Sequence, residues 1–238
     1  MPRTLFFFAT FYPFTLVCSV LTLFLSLFGA DRTHRFAAFW GRGALRLAGI
    51  RIQIEGREHL PKSGPALFMA NHASNFDIPT LYAGLPLQFR WLAKQELFDI
   101  PLFGAAMHRI GYIAIDRSDR KKSAVSLQKA AMRIQTGTSV VIFPEGTRSA
   151  DGELLPFKRG GFNLALQAGA PIIPVAILGT RAINPKGSLR ITSGTVCIRF
   201  LPPIITNELD RSEQDSLSDR VRTTIDDALQ EYRANSAA

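Results

Sequence analysis

The sequence predicts an α/β fold: a largely parallel central sheet flanked by helices, with an N-terminal membrane-associated helical segment. Three observations predict it. Short apolar or alternating runs recur between residues 51 and 200, separated by stretches of helical period, which is the pattern of strand–helix units. No charged residue occurs from Thr4 to Ala30, a longer stretch than the roughly 20 residues a bilayer-crossing helix needs. A segment rich in Arg and aromatic residues follows at once, DRTHRFAAFWGRGALR. This reading divides the chain at residue 50. Residues 1–50 form a membrane anchor and an interfacial amphipathic helix, and residues 51–238 form the α/β domain.

The elements follow in order. The uncharged run is too long for the apolar part of a cleaved signal peptide, and Phe28 spoils the best small-x-small site at Ala30, so it is read as retained. Pro13 is a candidate kink; spanning and one-leaflet embedding are both open. In the next segment Arg35, Arg42 and Arg46 share one side of a helical wheel, and Phe36, Trp40 and Leu47 share another. Gly41 and Gly43 weaken that helix. The Arg excess after the apolar run, against Arg3 alone before it, puts the remaining chain on the cytoplasmic side, of the inner membrane if bacterial. Strands are expected at RIQIEG (51–56), ALFMA (66–70), QFRWLA (88–93), GYIAI (111–115), TSVVIF (138–143), PIIPVAIL (171–178) and TVCIRF (195–200). Pro171 and Pro174 place the sixth near a sheet edge or start. Helices are expected at 77–85, 118–135 with Gly137 ending it, and 160–169. A last amphipathic helix uses Leu217, Val221, Ile225, Leu229 and Tyr232.

Composition narrows the function. The 238 residues are 47% apolar with 18 Phe, and the net charge is +9, which suits nucleic acid, an anionic membrane or a phosphorylated substrate. No nucleic-acid reading module is recognisable, and the cations divide between a membrane face and a pocket. Cys18 and Cys197 lack metal-ligand spacing, and no metal site is expected. GRGALRLAG (41–49) does not follow a strand and has the wrong spacing for a dinucleotide loop.

The chemistry concentrates in two strings. In NHASNFD (71–77), His72 stands five positions before Asp77 and directly after a strand. A carboxylate can hold one imidazole nitrogen as N–H so that the other accepts a proton, which makes a general base. A lone His is more often structural; the acid and the strand-end placement favour the base. Ser74 is read as turn chemistry, since no GxSxG elbow surrounds it. In VVIFPEGTRS (140–149), Pro144 stops the strand, Gly146 frees the backbone to approach a ligand, and Arg148 offers a planar fork suited to phosphate. Glu145 can accept a hydrogen bond from a hydroxyl. Arg117 follows the GYIAI strand, and FKRGG (157–161) brings Lys158 to a helix start. Sites in such sheets gather at the carboxyl ends of strands, where these residues fall.

With NHASNFD, the stretch KQELFDIPLFGAAMHRIGYIAIDR (94–117), VIFPEGTRS and APIIPVAI (170–177) occur in order. Together they resemble the four blocks of the 1-acylglycerol-3-phosphate acyltransferases, in the glycerolipid acyltransferase superfamily marked by His, four residues and Asp. The likeness runs from about residue 50 to 205. It implies His72 as general base and Asp77 as its orienting acid. It implies a glycerol-phosphate pocket from Arg117, Glu145, Gly146, Thr147 and Arg148, with Lys94 and Lys158 as further phosphate or carrier contacts. Glu145 suits a hydroxyl contact or an arginine pair better than phosphate itself. The implied reaction carries an acyl group from acyl-CoA or acyl-carrier protein, as co-substrate without a further cofactor, to the sn-2 hydroxyl of lysophosphatidic acid. Phosphatidic acid results, as in phospholipid biosynthesis. Another lysophospholipid or a lyso-ornithine lipid is an alternative acceptor; a catalytically inactive membrane lipid-binding protein is the alternative of a different class.

Overall fold

The computed structural model describes residues 1–116 and 119–237. Among them, seven strands form one sheet: β1 (Ile50–Glu55), β2 (Leu67–Ala70), β3 (Phe89–Lys94), β4 (Ile113–Ile115), β5 (Ser139–Ile142), β6 (Ile172–Leu178) and β7 (Gly194–Phe200), in the order β1-β7-β6-β2-β5-β3-β4. β6, β2, β5, β3 and β4 run parallel, while β7 is antiparallel to β6 and parallel to β1. The expected strands all form. The mostly parallel block sends the carboxyl ends of five strands to one edge, and that edge carries the site.

Alternation within the strands builds two cores. Leu67 and Met69 of β2 face one side with Val140 and Ile142 of β5. That side is covered by α6 (Arg120–Gln135), α7 (Arg159–Ala168) and α9 (Gln214–Ala237). α9 buries Leu217, Val221, Ile225 and Leu229 at helical spacing. Asp119 caps α6 by accepting from the amides of Lys121 and Lys122, and Gly137 closes it at φ 97°. Phe68 and Ala70 face the other side with Val141, Ile173 and Val175. There the cover is α2 (Ala30–Leu47), α3 (Asp77–Gly84) and α5 (Phe103–Ile110).

Two expectations are corrected. β6 is not an edge strand; it lies between β7 and β2. Pro174 lies opposite Leu201, just outside the regular β6–β7 pairing. The Leu201 amide donates to the Pro174 carbonyl at 2.9 Å, and the regular pairing with β7 starts only at Val175. The glycines of α2 do not interrupt it. A Cβ at Gly41 would stand 2.5 Å from the Tyr82 Cβ and 3.1 Å from the Pro79 carbonyl oxygen, so this residue lets α2 lie directly on α3. Arg35, Arg42 and Arg46 are exposed on the far face of α2, as the wheel predicts.

α1 (Pro2–Leu25) continues through Pro13 as one helix, and a short 3-10 turn and Gly29 lead into α2. One face of α1 packs on the domain. Phe7 is buried and its ring lies 5.5 Å from that of Phe76; the Trp40 indole N–H donates to the Thr15 hydroxyl at 3.0 Å. The other face leaves Leu5, Phe6, Leu16, Val20 and Phe24 exposed. By length and composition, residues 2–28 are sufficient to cross a membrane. Three helices were not read from the sequence: α4 (Gln95–Phe98) and α5, which the turn at Asp99–Leu102 separates, and a short one after β6. α4 is too short to show a period. The last short helix, α8 (Thr180–Ile183), follows β6.

Candidate active site

The end of β2 is fixed before the chemistry begins. The Asn71 side chain accepts from the Ile177 amide at 2.7 Å and donates to its carbonyl at 3.0 Å, so it extends the β2–β6 ladder by one residue. His72 is next. Its Nδ1 lies 2.7 Å from Asp77 Oδ2. A carboxylate only accepts, so Nδ1 carries the hydrogen and Nε2 keeps a free lone pair. The imidazole stacks on Phe143 with ring centroids 3.9 Å apart and planes 8° from parallel, which fixes its second axis.

Asp77 opens α3 and is fully buried. Its Oδ2 also accepts the amides of Ala73 and Ser74, each at 2.8 Å, and its Oδ1 accepts the Thr180 hydroxyl at 2.5 Å. It therefore folds the five-residue loop around itself and orients the imidazole at once. Ser74 is turn chemistry: its hydroxyl donates to the Asn184 carbonyl at 2.8 Å and accepts the Phe76 amide at 3.2 Å.

Glu145 is placed differently from the hydroxyl-binding group expected of it. It is buried, and both oxygens are engaged by backbone: Oε1 accepts the His72 amide at 2.7 Å and Oε2 the Leu155 amide at 2.9 Å. It ties the loop after β5 to the loop after β2, beside the bond from the Ser149 amide to the His72 carbonyl at 2.7 Å. Burial pushes its carboxyl up to about 7, against the two amide hydrogen bonds that pull it down, and the Asp77 charge adds to the rise.

Gly146 turns the chain at φ 74°, and Gly146, Thr147 and Arg148 line a cavity of about 440 Å³ together with His72 and Lys94. The rest of the cavity is mostly apolar and runs among α1, α2, β3 and α5, with Trp40, Trp91, Leu97, Ala106, Met107 and Phe143 in its wall. Lys158 does not line it. Its side chain is exposed at the start of α7, and its amide donates to the Pro144 carbonyl at 2.8 Å. Arg117 lies outside the described residues. Among the described residues no cluster of three or more His, Cys, Asp or Glu converges to hold a metal ion.

The sequence reading missed Asn71, Thr180 and the aromatic plate Phe143. Asn71 borders the motif and was within reach. Thr180 stands 103 positions from the acid it touches, and no local spacing signals it.

Comparison with known proteins agrees with this geometry. Residues 51–178 match the model of the Acyltransferase family, more than half of the chain. Human 1-acyl-sn-glycerol-3-phosphate acyltransferase alpha is 37% identical over 180 residues, covering 75% of this chain and 64% of the human protein. The 1-acyl-sn-glycerol-3-phosphate acyltransferase of Limnanthes alba is 40% identical over 164 residues, covering 68% of this chain and 57% of its own. The chain thus spans somewhat less than two thirds of the length of these relatives. The crystal structure of the 1-acyl-sn-glycerophosphate (LPA) acyltransferase PlsC from Thermotoga maritima superposes with a TM-score of 0.82 at 28% identity, over 98% of this chain and 95% of that one. The matched stretch includes both His72 and Asp77 and all five parallel strands in full. With the sheet order and the cavity in place, it assigns this chain to the acyltransferase family.

Proposed function

We propose that the protein acylates the sn-2 hydroxyl of lysophosphatidic acid from an acyl-CoA or acyl-carrier-protein thioester, releasing phosphatidic acid and the free thiol. The observation that carries this reading is a single cavity holding both His72, with its Nδ1 fixed on Asp77, and Arg148, and continuing into an apolar body. The relatives named above carry the same activity in their names.

The step balances without a covalent enzyme intermediate. His72 Nε2 takes the hydroxyl proton as the oxygen bonds to the thioester carbonyl carbon. Collapse breaks the carbon–sulfur bond, and the imidazolium returns its proton to the leaving thiolate. Asp77 stabilises the transient imidazolium. A positioned base supplies about 10²–10⁴-fold, and the remainder comes from orientation and electrostatics. Arg148 is the group for the acceptor phosphate, with Gly146 and Thr147 shaping its approach and Lys94 across the cavity. The apolar body suits a fatty chain. Glu145 acts through the loop it holds, and Lys158 is left for the donor's carrier or the membrane surface.

The apolar outer face of α1 supports seating in a membrane, and the exposed arginines of α2 support a cytoplasmic catalytic face. Purified full-length protein, one acyl-CoA and a panel of lysophosphatidic acid, other lysophospholipids and lyso-ornithine lipid, read by mass spectrometry, tests the reading. Phosphatidic acid should dominate the products, and His72→Ala should abolish them in a protein that still folds. Absence of every diacyl product would leave a lipid-binding protein; dominance of another product would reassign the acceptor.

A further inference from the structure

The sequence reading gave no catalytic part to the block at 170–177, which forms most of β6. Its continuation reaches the dyad. Thr180 opens α8, is 1% exposed, and donates its hydroxyl hydrogen to Asp77 Oδ1 at 2.5 Å. Asp77 Oδ2 already serves three donors, the His72 ring and the amides of Ala73 and Ser74. Four residues on, Asn184 accepts the Ser74 hydroxyl at its carbonyl, and its side-chain oxygen accepts from the Asn75 amide group at 3.4 Å. The far end of the same segment is fixed by bonds from the Asn184 amide group to the carbonyls of Ser188 and Arg190.

We infer that Thr180 is a positioning residue for acyl transfer: its hydroxyl holds the Asp77 carboxylate in the plane that aligns His72, and it moderates the pull of that carboxylate on the imidazolium. The inference rests on the acyltransferase reading. Two physical consequences follow from one hydrogen bond. Geometrically, the Thr180 bond adds a restraint on the far oxygen to the three on Oδ2, and losing it loosens the carboxylate and the imidazole it aligns. A misplacement of about 1 Å at a reacting atom can lower a rate by around 100-fold. Electrostatically, the hydroxyl hydrogen directs positive charge at Oδ1. Removing it strengthens the attraction between Asp77 and a protonated His72, so the ring should bind its proton more tightly. The other charged groups facing the dyad are Glu145, through the His72 amide, and Arg148 and Lys94 in the cavity wall. None is altered by a change at 180, so the difference between variant and parent reports Thr180.

The test uses the full-length protein in detergent with lysophosphatidic acid and acyl-CoA. Thr180→Val keeps the volume and removes the donor; Thr180→Ser restores the donor and removes a methyl group. For Thr180→Val, kcat should fall about tenfold to a hundredfold with little change in KM for either substrate. The acidic limb of its pH–rate profile should move to higher pH, as should the His72 imidazole titration followed by NMR, with the signal assigned through His72→Gln. Thr180→Ser should recover most of the rate and the parental titration. A parental rate and titration in Thr180→Val would overturn the inference. So would a lower rate with an unmoved titration and no recovery in Thr180→Ser, since that marks packing alone. If a melt shows Thr180→Val unfolded, Thr180→Cys, a weaker donor of similar size, should fall between the parent and complete loss; a parental rate and titration there would also count against it. If the parent protein makes no diacyl product, the function falls instead, while the NMR titration still decides what Thr180 does to His72.

Discussion

Glu145 offers a measurement in which sign and size both come from the structure. Its carboxyl is displaced from the ordinary value of 4.5 to about 7 by burial. The fold therefore prefers the protonated form. Below about pH 4.5 the group is neutral in folded and unfolded chains alike, and its full contribution is present. As pH rises through 7 the unfolded chain releases the proton first, and that stability is lost. At about 1.4 kcal/mol for each tenfold change in proton affinity, the loss is about 3 kcal/mol between pH 5 and 8. Glu145→Gln stays neutral at every pH and removes this slope, at the cost of one of the two accepted amide bonds. In thermal melts of both full-length proteins in one detergent, at unit steps across that range, the parent's midpoint should fall relative to the variant's as pH rises. For a chain of this size about 3 kcal/mol corresponds to roughly 6–12 °C in relative midpoint. Parallel curves for the two proteins would refute the account of Glu145, because its ionisation would then carry no folding free energy.

Other outcomes follow from neighbouring contacts. Arg148→Ala should raise KM for lysophosphatidic acid by about tenfold or more, the worth of a charge-assisted hydrogen bond being about 1.5–3 kcal/mol, while acceptors without phosphate are little affected; equal losses for both would remove Arg148 from the phosphate. Ala106→Phe, in the apolar wall, should shift use toward shorter acyl donors, and an unchanged chain-length profile would place the fatty chain elsewhere. Gly41→Ala should destabilise by about 1–3 kcal/mol through the clash with Tyr82 and Pro79, read as a melting point lower by several degrees.

What the sequence disclosed tracks how local each cause is. The strands were legible because their patterns are short and their ends carry turn residues. The His72–Asp77 pair was legible because its partners are five residues apart, within one loop. β6 was read as an edge because proline's missing donor matters only where a neighbouring strand requires it, and the residue opposite Pro174, Leu201, is distant in the chain. Glu145 was aimed at the substrate because a carboxylate beside a cationic loop suggests ligand contact. Its true partner, the His72 amide, is 73 residues away. α4 and α5 escaped because Asp99–Leu102 divides them before either can show a face.

Thr15, Cys18, Ser19 and Thr22 of α1 line the cavity, while the opposite flank of the same helix is bare hydrocarbon. A partition one helix thick thus separates the substrate chamber from whatever solvent or lipid surrounds the protein. Trimming the chain to residue 50 to gain solubility would open the chamber along its length, so the truncated protein should bind fatty chains more weakly even with its imidazole intact. For the same reason the choice of micelle or bilayer thickness belongs among the variables that tune which chain is accepted.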